Sequence, residues 1–205
     1  MKIEIELKAW VPDPEELKKK ISNMAIFRGT FEKNDIFFSK ISVVQPDFLL
    51  KKTAGLGGNT GYGVRIRQET FTDIDGISKQ VYLVTCKIKE VREGIEANDE
   101  KEFEVSSDSA FKEFLLQLGF EEKTRKRKKG SSYTYNNMTV ELTEVEGLGW
   151  FVELEILLPE RDEKQIKLEK EKLLCFLDGL GISRNSIESR GYTAMLAEKH
   201  LDISD

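Results

Sequence analysis

Three strand-like segments of this sequence carry Glu-x-Glu on their polar side: Glu4/Glu6, Glu102/Glu104 and Glu153/Glu155. Residues two apart on a strand point to the same side of a sheet, so each pair concentrates negative charge on one face. The opposite faces are apolar: Ile3, Ile5 and Leu7 in 2–8, Phe103 and Val105 in 101–105, Val152, Leu154 and Ile156 in 150–157. Paired bases follow the same rule, with Arg65/Arg67 alternating with Val64 and Ile66 in 63–68, and Lys87/Lys89 alternating with Cys86 and Ile88 in 81–90. Segment 138–145 sets Val140 and Leu142 against Glu141 and Thr143, and shorter strands are expected at 35–39 and 132–136. A further basic pair falls in 123–129 (KTRKRKK). A half-exposed sheet with a charged solvent face accounts for any one strand. Repetition over five or six strands weakens that account; if the sheet instead closes into a barrel with these faces inward, its interior charges must be paired, hydrogen-bonded or metal-bound.

Helices are fewer. Asp13-Pro14-Glu15-Glu16 is a cap, a first-turn proline and an acidic first turn, ahead of Leu17, Ile21 and Met24. Asp108 is expected to cap a second helix with a stripe of Phe111, Phe114, Leu115 and Leu118, stopped by Gly119. A third begins after Pro159, carries Ile166, Leu173, Leu174 and Leu177 and ends near Gly179; a fourth spans about Tyr192 to Lys199. Strands joined mostly without crossover helices imply a β-dominated α+β fold, one antiparallel sheet or barrel with helices outside, in a single domain over 1–205.

Composition narrows the function classes. Of 205 residues 34% are charged, and the net charge is only -5, which argues against general nucleic-acid binding. No apolar run approaches the roughly 20 residues of a membrane helix. Two distant cysteines, Cys86 and Cys175, and the lack of a signal-peptide pattern predict a reduced, cytoplasmic setting without membrane association. The sole histidine, His200, lies near the end, so Ser-His and Cys-His nucleophilic chemistry is not expected. The glycine-rich stretch 53–63 matches neither GxxxxGK[ST] nor GxGxxG and reads as a loop between strands. Carboxylates together with bases suit a polyphosphate bound with a hard divalent cation.

Glu4-Ile5-Glu6-Leu7-Lys8 resembles the ExExK signature of the CYTH, or triphosphate tunnel, superfamily. The order of later segments strengthens it: Asp35-Ile36-Phe37-Phe38, Val64-Arg65-Ile66-Arg67, Thr85-Cys86-Lys87, Lys101-Glu102-Phe103-Glu104, Leu118-Gly119-Phe120, Gly147-Leu148-Gly149-Trp150-Phe151-Val152-Glu153-Leu154-Glu155 and Arg190-Gly191-Tyr192. The resemblance spans the chain and implies an eight-stranded antiparallel β-barrel forming a tunnel, with flanking helices. It implies Mg²⁺ or Mn²⁺ held by Glu4, Glu6, Glu153 and Glu155 with help from Glu102 or Glu104. Phosphate oxygens would be bound by Lys8, Arg65, Arg67, Lys87 and Lys89, with Arg190 added. The class IV adenylate cyclases look closest, making ATP the expected substrate and cyclic AMP and pyrophosphate the products. A triphosphatase acting on inorganic or organic triphosphate is the alternative, and a binding protein with little turnover a third. Exposed edges and helices would support a homodimer.

Two departures stand out. Thr143 occupies the place of an acidic residue that the family carries four positions before GLG; Glu141, on the same face, is the expected catalytic replacement beside Lys8. The family's KxRxxY strand, counted back from Gly147 without gaps, falls on Lys128 and Gly130 and loses its arginine; a short insertion would bring in Arg125 or Arg127, with Arg127 the expected contact.

Overall fold

The computed structural model describes residues 3–41, 61–88, 91–92 and 95–202. The chain runs β1 (Ile3–Trp10), α1 (Pro14–Met24), β2 (Ile26–Ile41), β3 (Gly61–Asp73), β4 (Ser78–Ile88) and β5 (Val91–Arg92). It continues through β6 (Ile95–Val105), α2 (Asp108–Gln117), β7 (Glu121–Tyr135), β8 (Met138–Val145), β9 (Gly149–Leu158), α3 (Glu163–Gly179) and α4 (Tyr192–Asp202). Every pairing is antiparallel, in the order β1-β9-β8-β7-β2-β3-β4-β6. β6 returns to β1 through four residue pairs, Ile3↔Asp99 to Glu6↔Glu96, so the eight long strands close on themselves as expected. The two-residue β5 only flanks the start of β6.

Two strands are much longer than their sequence signals. The segments 35–39 and 132–136 are parts of the 16-residue β2 and the 15-residue β7, which pair along most of their lengths with irregularities at Phe27/Gly29 and Phe37/Phe38. The basic run 123–129 is therefore strand rather than turn.

The apolar faces of β1, β8 and β9 point outward and are covered by helices. Ile5, Leu7, Val140, Leu154 and Ile156 are fully buried against Leu17 and Ile21 of α1 and Leu173, Phe176 and Leu177 of α3. Each such side chain contributes roughly 1.5–3 kcal/mol relative to exposure. On the other side of the barrel Phe38 and Ile66 pack on Leu115 of α2. Only Leu115 of the expected α2 stripe is buried; Phe114 and Leu118 are exposed, and Phe111 is half-buried. The α2 cap is Ser107, whose hydroxyl accepts from the Ala110 amide, while Asp108 lies one position inside, in the acidic first turn. Asp13 caps α1 as its sequence indicates, accepting from the Glu16 amide at 2.9 Å. Gly119 follows α2 with φ 79°, the left-handed conformation that ends helices. No described helix is long and apolar enough to cross a membrane.

Candidate active site

Because the outward positions of the strands are apolar, their alternate positions face the barrel interior, and there the ionic residues meet. A cavity of about 850 Å³ is lined by Glu4, Glu6 and Lys8 of β1 and by Glu153 and Glu155 of β9. Glu141 of β8, Lys126 and Lys128 of β7, and Lys33 of β2 join them. The far wall carries Arg65 and Arg67 of β3, Thr85 of β4 and Glu102 of β6, and Tyr192 enters from α4. Seven cationic side chains and six carboxylates line this space. A wall so nearly balanced favours a ligand that brings both signs over a bare polyanion.

Strand register sets the local pairs. Glu6 lies opposite Glu155, and Lys8 opposite Glu153, which is itself opposite Glu141. Lys128 Nζ donates to both Glu153 oxygens at 2.9 and 2.8 Å and reaches Glu141 at 3.3 Å, while Lys33 donates to Glu141 at 2.7 Å. Burial works against the Glu141 carboxylate, but Lys33 and Lys128 outweigh it and hold its pKa down to about 2. Burial likewise opposes the charged form of Lys128, yet Glu153 and Glu141 leave its pKa raised. Across the cavity, Asp35 accepts from Arg67 Nε at 2.7 Å and from Nη2 at 3.0 Å, and lies 2.9 Å from Lys126 Nζ. Thr85 receives a bond from Arg65 at 2.9 Å and donates to Glu102 at 2.9 Å. The Tyr192 ring lies beneath Lys8 and Lys126, at 5.5 and 5.2 Å, and burial raises its hydroxyl pKa well above the ordinary value.

One family description, the CYTH domain, matches residues 2–192. The chain belongs to the CYTH family. A Methanocaldococcus jannaschii protein named "Putative adenylate cyclase MJ0240" is 26% identical over 192 residues, spanning 93% of this chain and 96% of its own. The structure of the PH1819 protein from Pyrococcus horikoshii superposes with a TM-score of 0.76 at 28% identity, covering 96% of this chain and 99% of that one. HpAC1 from Hippeastrum, for which a dominant triphosphatase activity is described, shares the fold with a TM-score of 0.57 at 19% identity over 97% and 96% of the two chains.

Within this CYTH barrel, Glu4, Glu6, Lys8, Arg65, Arg67, Glu102, Glu141, Glu153 and Glu155 line one cavity. Five other expected contacts, Arg127 among them, lie elsewhere or outside the described side chains. Glu104 is exposed, opposite Leu83 near the end of β6. Arg190 is half-exposed and committed to Glu188 at 2.6 and 3.0 Å and to Glu198 at 2.7 Å. Glu188 also accepts from Trp10 Nε1 at 3.3 Å, so Arg190 fastens the start of α4 to β1 instead of reaching the cavity. Lys89 lies outside the described residues, as do the side chains of Lys87 and His200 and most of the 53–63 loop.

Arg127 is the clear correction. The β7–β8 pairing runs without interruption from Lys128↔Val145 to Tyr135↔Met138 and leaves Arg127 on the outer face. A one-residue slip would exchange the faces of a strand; in the register observed Lys126 and Lys128 face inward and Arg125 and Arg127 are exposed. The gapless count from Gly147, which falls on Lys128, carried that signal. Lys33, Asp35, Thr85 and Tyr192 were also missed, since the inward face of β2 mixes Phe31, Lys33, Asp35 and Phe37 and shows no single sign.

The two sequence departures are one feature in space. Gly130 and Thr143 are direct cross-strand partners, and Gly130 also faces Phe31. A Cβ at Gly130 would lie 2.9 Å from the Phe31 ring and 2.1 Å from the Leu142 carbonyl oxygen. Thr143 is fully buried, and its hydroxyl has no hydrogen-bond partner among the described residues. The buried Phe31 ring fills this corner and supports Lys33 at 4.3 Å.

Among the described residues, no three carboxylate, histidine or cysteine side chains converge as a ready-made metal site. The donor chemistry nevertheless fits a hard divalent cation, because every anionic group on the cavity wall is a carboxylate. Glu6 and Glu155 are directly opposed like charges, an arrangement that is unfavourable without a cation between or beside them.

Proposed function

We propose that this CYTH protein is a divalent-cation-dependent enzyme acting on a nucleoside triphosphate, with ATP cyclisation to cyclic AMP and pyrophosphate as the leading reaction. The observation that supports it is the single cavity in which cationic and carboxylate side chains are present in nearly equal number. A triphosphate accompanied by Mg²⁺ or Mn²⁺ supplies the complementary charges. Phe37, Val64, Phe103 and Leu157 add apolar surface to the same cavity, which a nucleoside can use and an inorganic polyphosphate cannot.

Glu4, Glu6, Glu153 and Glu155 are the groups that would hold the cation. Bound there, it would supply charge neutralisation at the phosphates and acidify the attacking hydroxyl. The Arg65 and Arg67 guanidinium groups grip phosphate oxygens in a planar fork, and Lys8, Lys126 and Lys128 act as point charges. These fixed cations stabilise the negative charge that accumulates on the departing pyrophosphate. Glu141 is a poor general base, because its pKa of about 2 lies far from neutrality; its part is to hold Lys33 and Lys128 in place. The proton of the ribose 3′-hydroxyl passes to solvent water as its oxygen bonds to the α-phosphorus and the bond from that phosphorus to the departing pyrophosphate breaks.

Triphosphatase chemistry is the second reading, supported by the activity described for the fold relative HpAC1. Incubation with ATP or tripolyphosphate, in Mg²⁺ or Mn²⁺, separates the two. Cyclic AMP with pyrophosphate is expected for the cyclase, and orthophosphate for the triphosphatase. Saturable binding without product from either substrate would overturn both.

A further inference from the structure

Two of the cavity cations are placed by a carboxylate that does not itself line the cavity. Asp35 lies on β2 between Arg67 of β3 and Lys126 of β7, its cross-strand partner on each side. Its side chain is wholly buried, while both partners reach the cavity wall. The bidentate bond takes Nε and Nη2 of Arg67, fixing the plane of the guanidinium and not merely its position. The same carboxylate holds the Lys126 head at 2.9 Å, over the rings of Phe37 and Tyr192. Among the described residues Asp35 alone holds both cations at hydrogen-bond distance, with Glu69 farther off at 3.8 Å from Arg67 Nη1, and it leaves the pair rigid and directed inward.

We propose that Asp35 is a positioning residue that sets the Arg67 fork and the Lys126 ammonium as a two-cation cradle for one phosphate group of the substrate, a role that rests on the triphosphate reading above. A carboxylate needed only to neutralise buried charge would stabilise the fold without tuning the ligand, and the pH response separates these roles. Burial depresses Lys126, Asp35 opposes that, and Lys128, Arg67 and Arg65 add to the depression, leaving its pKa at about 8. The remaining neighbours are Tyr192, whose raised pKa keeps it neutral, and Lys8, which shares the Tyr192 ring. Affinity for a triphosphate should therefore fall as pH rises through about 8, as Lys126 loses its proton.

The test is calorimetric binding of Mg²⁺ with an ATP analogue whose bridging anhydride oxygens are replaced by methylene groups. It compares wild type, Asp35→Asn and Lys126→Arg between about pH 6.5 and about pH 9.5. Asp35→Asn should weaken binding by roughly tenfold or more at neutral pH and move the alkaline loss of affinity to lower pH. Lys126→Arg should bind at neutral pH and lose the alkaline step, because a guanidinium stays protonated throughout. Asp35→Asn binding with wild-type affinity and pH profile would overturn the proposal, as would a wild-type alkaline step in Lys126→Arg. If circular dichroism shows Asp35→Asn unfolded, the Lys126→Arg profile alone decides. Wild type failing to bind the analogue at any pH refutes the triphosphate reading itself, and the cradle with it.

Discussion

Thr143 offers a direct test of how this barrel departs from its family. Its hydroxyl is buried without a partner among the described residues, facing Gly130 in a corner filled by Phe31. An unsatisfied buried polar group costs about 1–3 kcal/mol, and valine replaces the hydroxyl by a methyl of similar size. Thr143→Val should therefore stabilise the protein by up to that amount. For a chain of this length each kcal/mol shifts Tm by roughly 2–4 °C, which scanning calorimetry resolves easily. Catalytic turnover should be unchanged, because Thr143 does not line the cavity. Thr143→Asp, which restores the family's acidic residue, should do the opposite. A carboxylate there has Gly130 directly opposite, and the nearest cations, Lys128 and Lys33, are already engaged by Glu153 and Glu141, so it costs about 3–5 kcal/mol if charged or becomes protonated with a raised pKa. The penalty should shrink as pH falls below that raised value. Loss of stability or turnover in Thr143→Val, or a stable and more active Thr143→Asp, would refute this account.

Further expectations concern the site and the wall around it. Glu155→Gln and Lys8→Ala should abolish turnover with circular dichroism unchanged; retained activity in both would refute the site assignment. Lys128→Met should abolish triphosphate binding and lower stability by about 3–5 kcal/mol by stranding Glu153 and Glu141, whereas Arg127→Ala should leave kcat and KM within about twofold of wild type. Acid should destabilise the fold specifically through the inner carboxylates. The Glu141 pKa is depressed in the folded state, so its contribution is complete above the ordinary carboxylate value of 4.5 and is lost as pH falls toward about 2. Denaturant unfolding should show that loss, and Glu141→Gln should remove part of it.

Much of the fold was legible because strand faces with one dominant character announce themselves. Glu4/Glu6 against Ile3, Ile5 and Leu7 specified a strand, its orientation and its role in one line. The face pattern is weaker on β2 and β7. On β2 the inward set combines aromatic rings with Lys33 and Asp35, so neither face reads as core, and only 35–39 stood out of sixteen residues. On β7 both faces are basic through 123–129, so the sign pattern could not say which lysines turned inward. That choice depends on register against β8, a pairing property invisible in a single strand. Tyr192 was beyond reach for a different reason: its position comes from the Arg190–Glu188–Trp10 contact that fastens α4, a tertiary arrangement with no local periodicity.

The strands of this barrel hold their greasy side toward the helices and their ionic side toward the cavity, so residue parity divides the labour of each strand. Glu4, Glu6 and Lys8 of β1 and Glu153 and Glu155 of β9 line the cavity, and their neighbours hold the molecule together. Substitution inside the cavity can therefore proceed almost independently of packing, provided the charges are changed in matched pairs. Loss or gain of one residue within a strand cannot, since it would turn the binding surface outward and drive leucines into the cavity at once. Catalytic variety in such a molecule should accumulate by exchange of side chains, with length changes confined to the connections between strands.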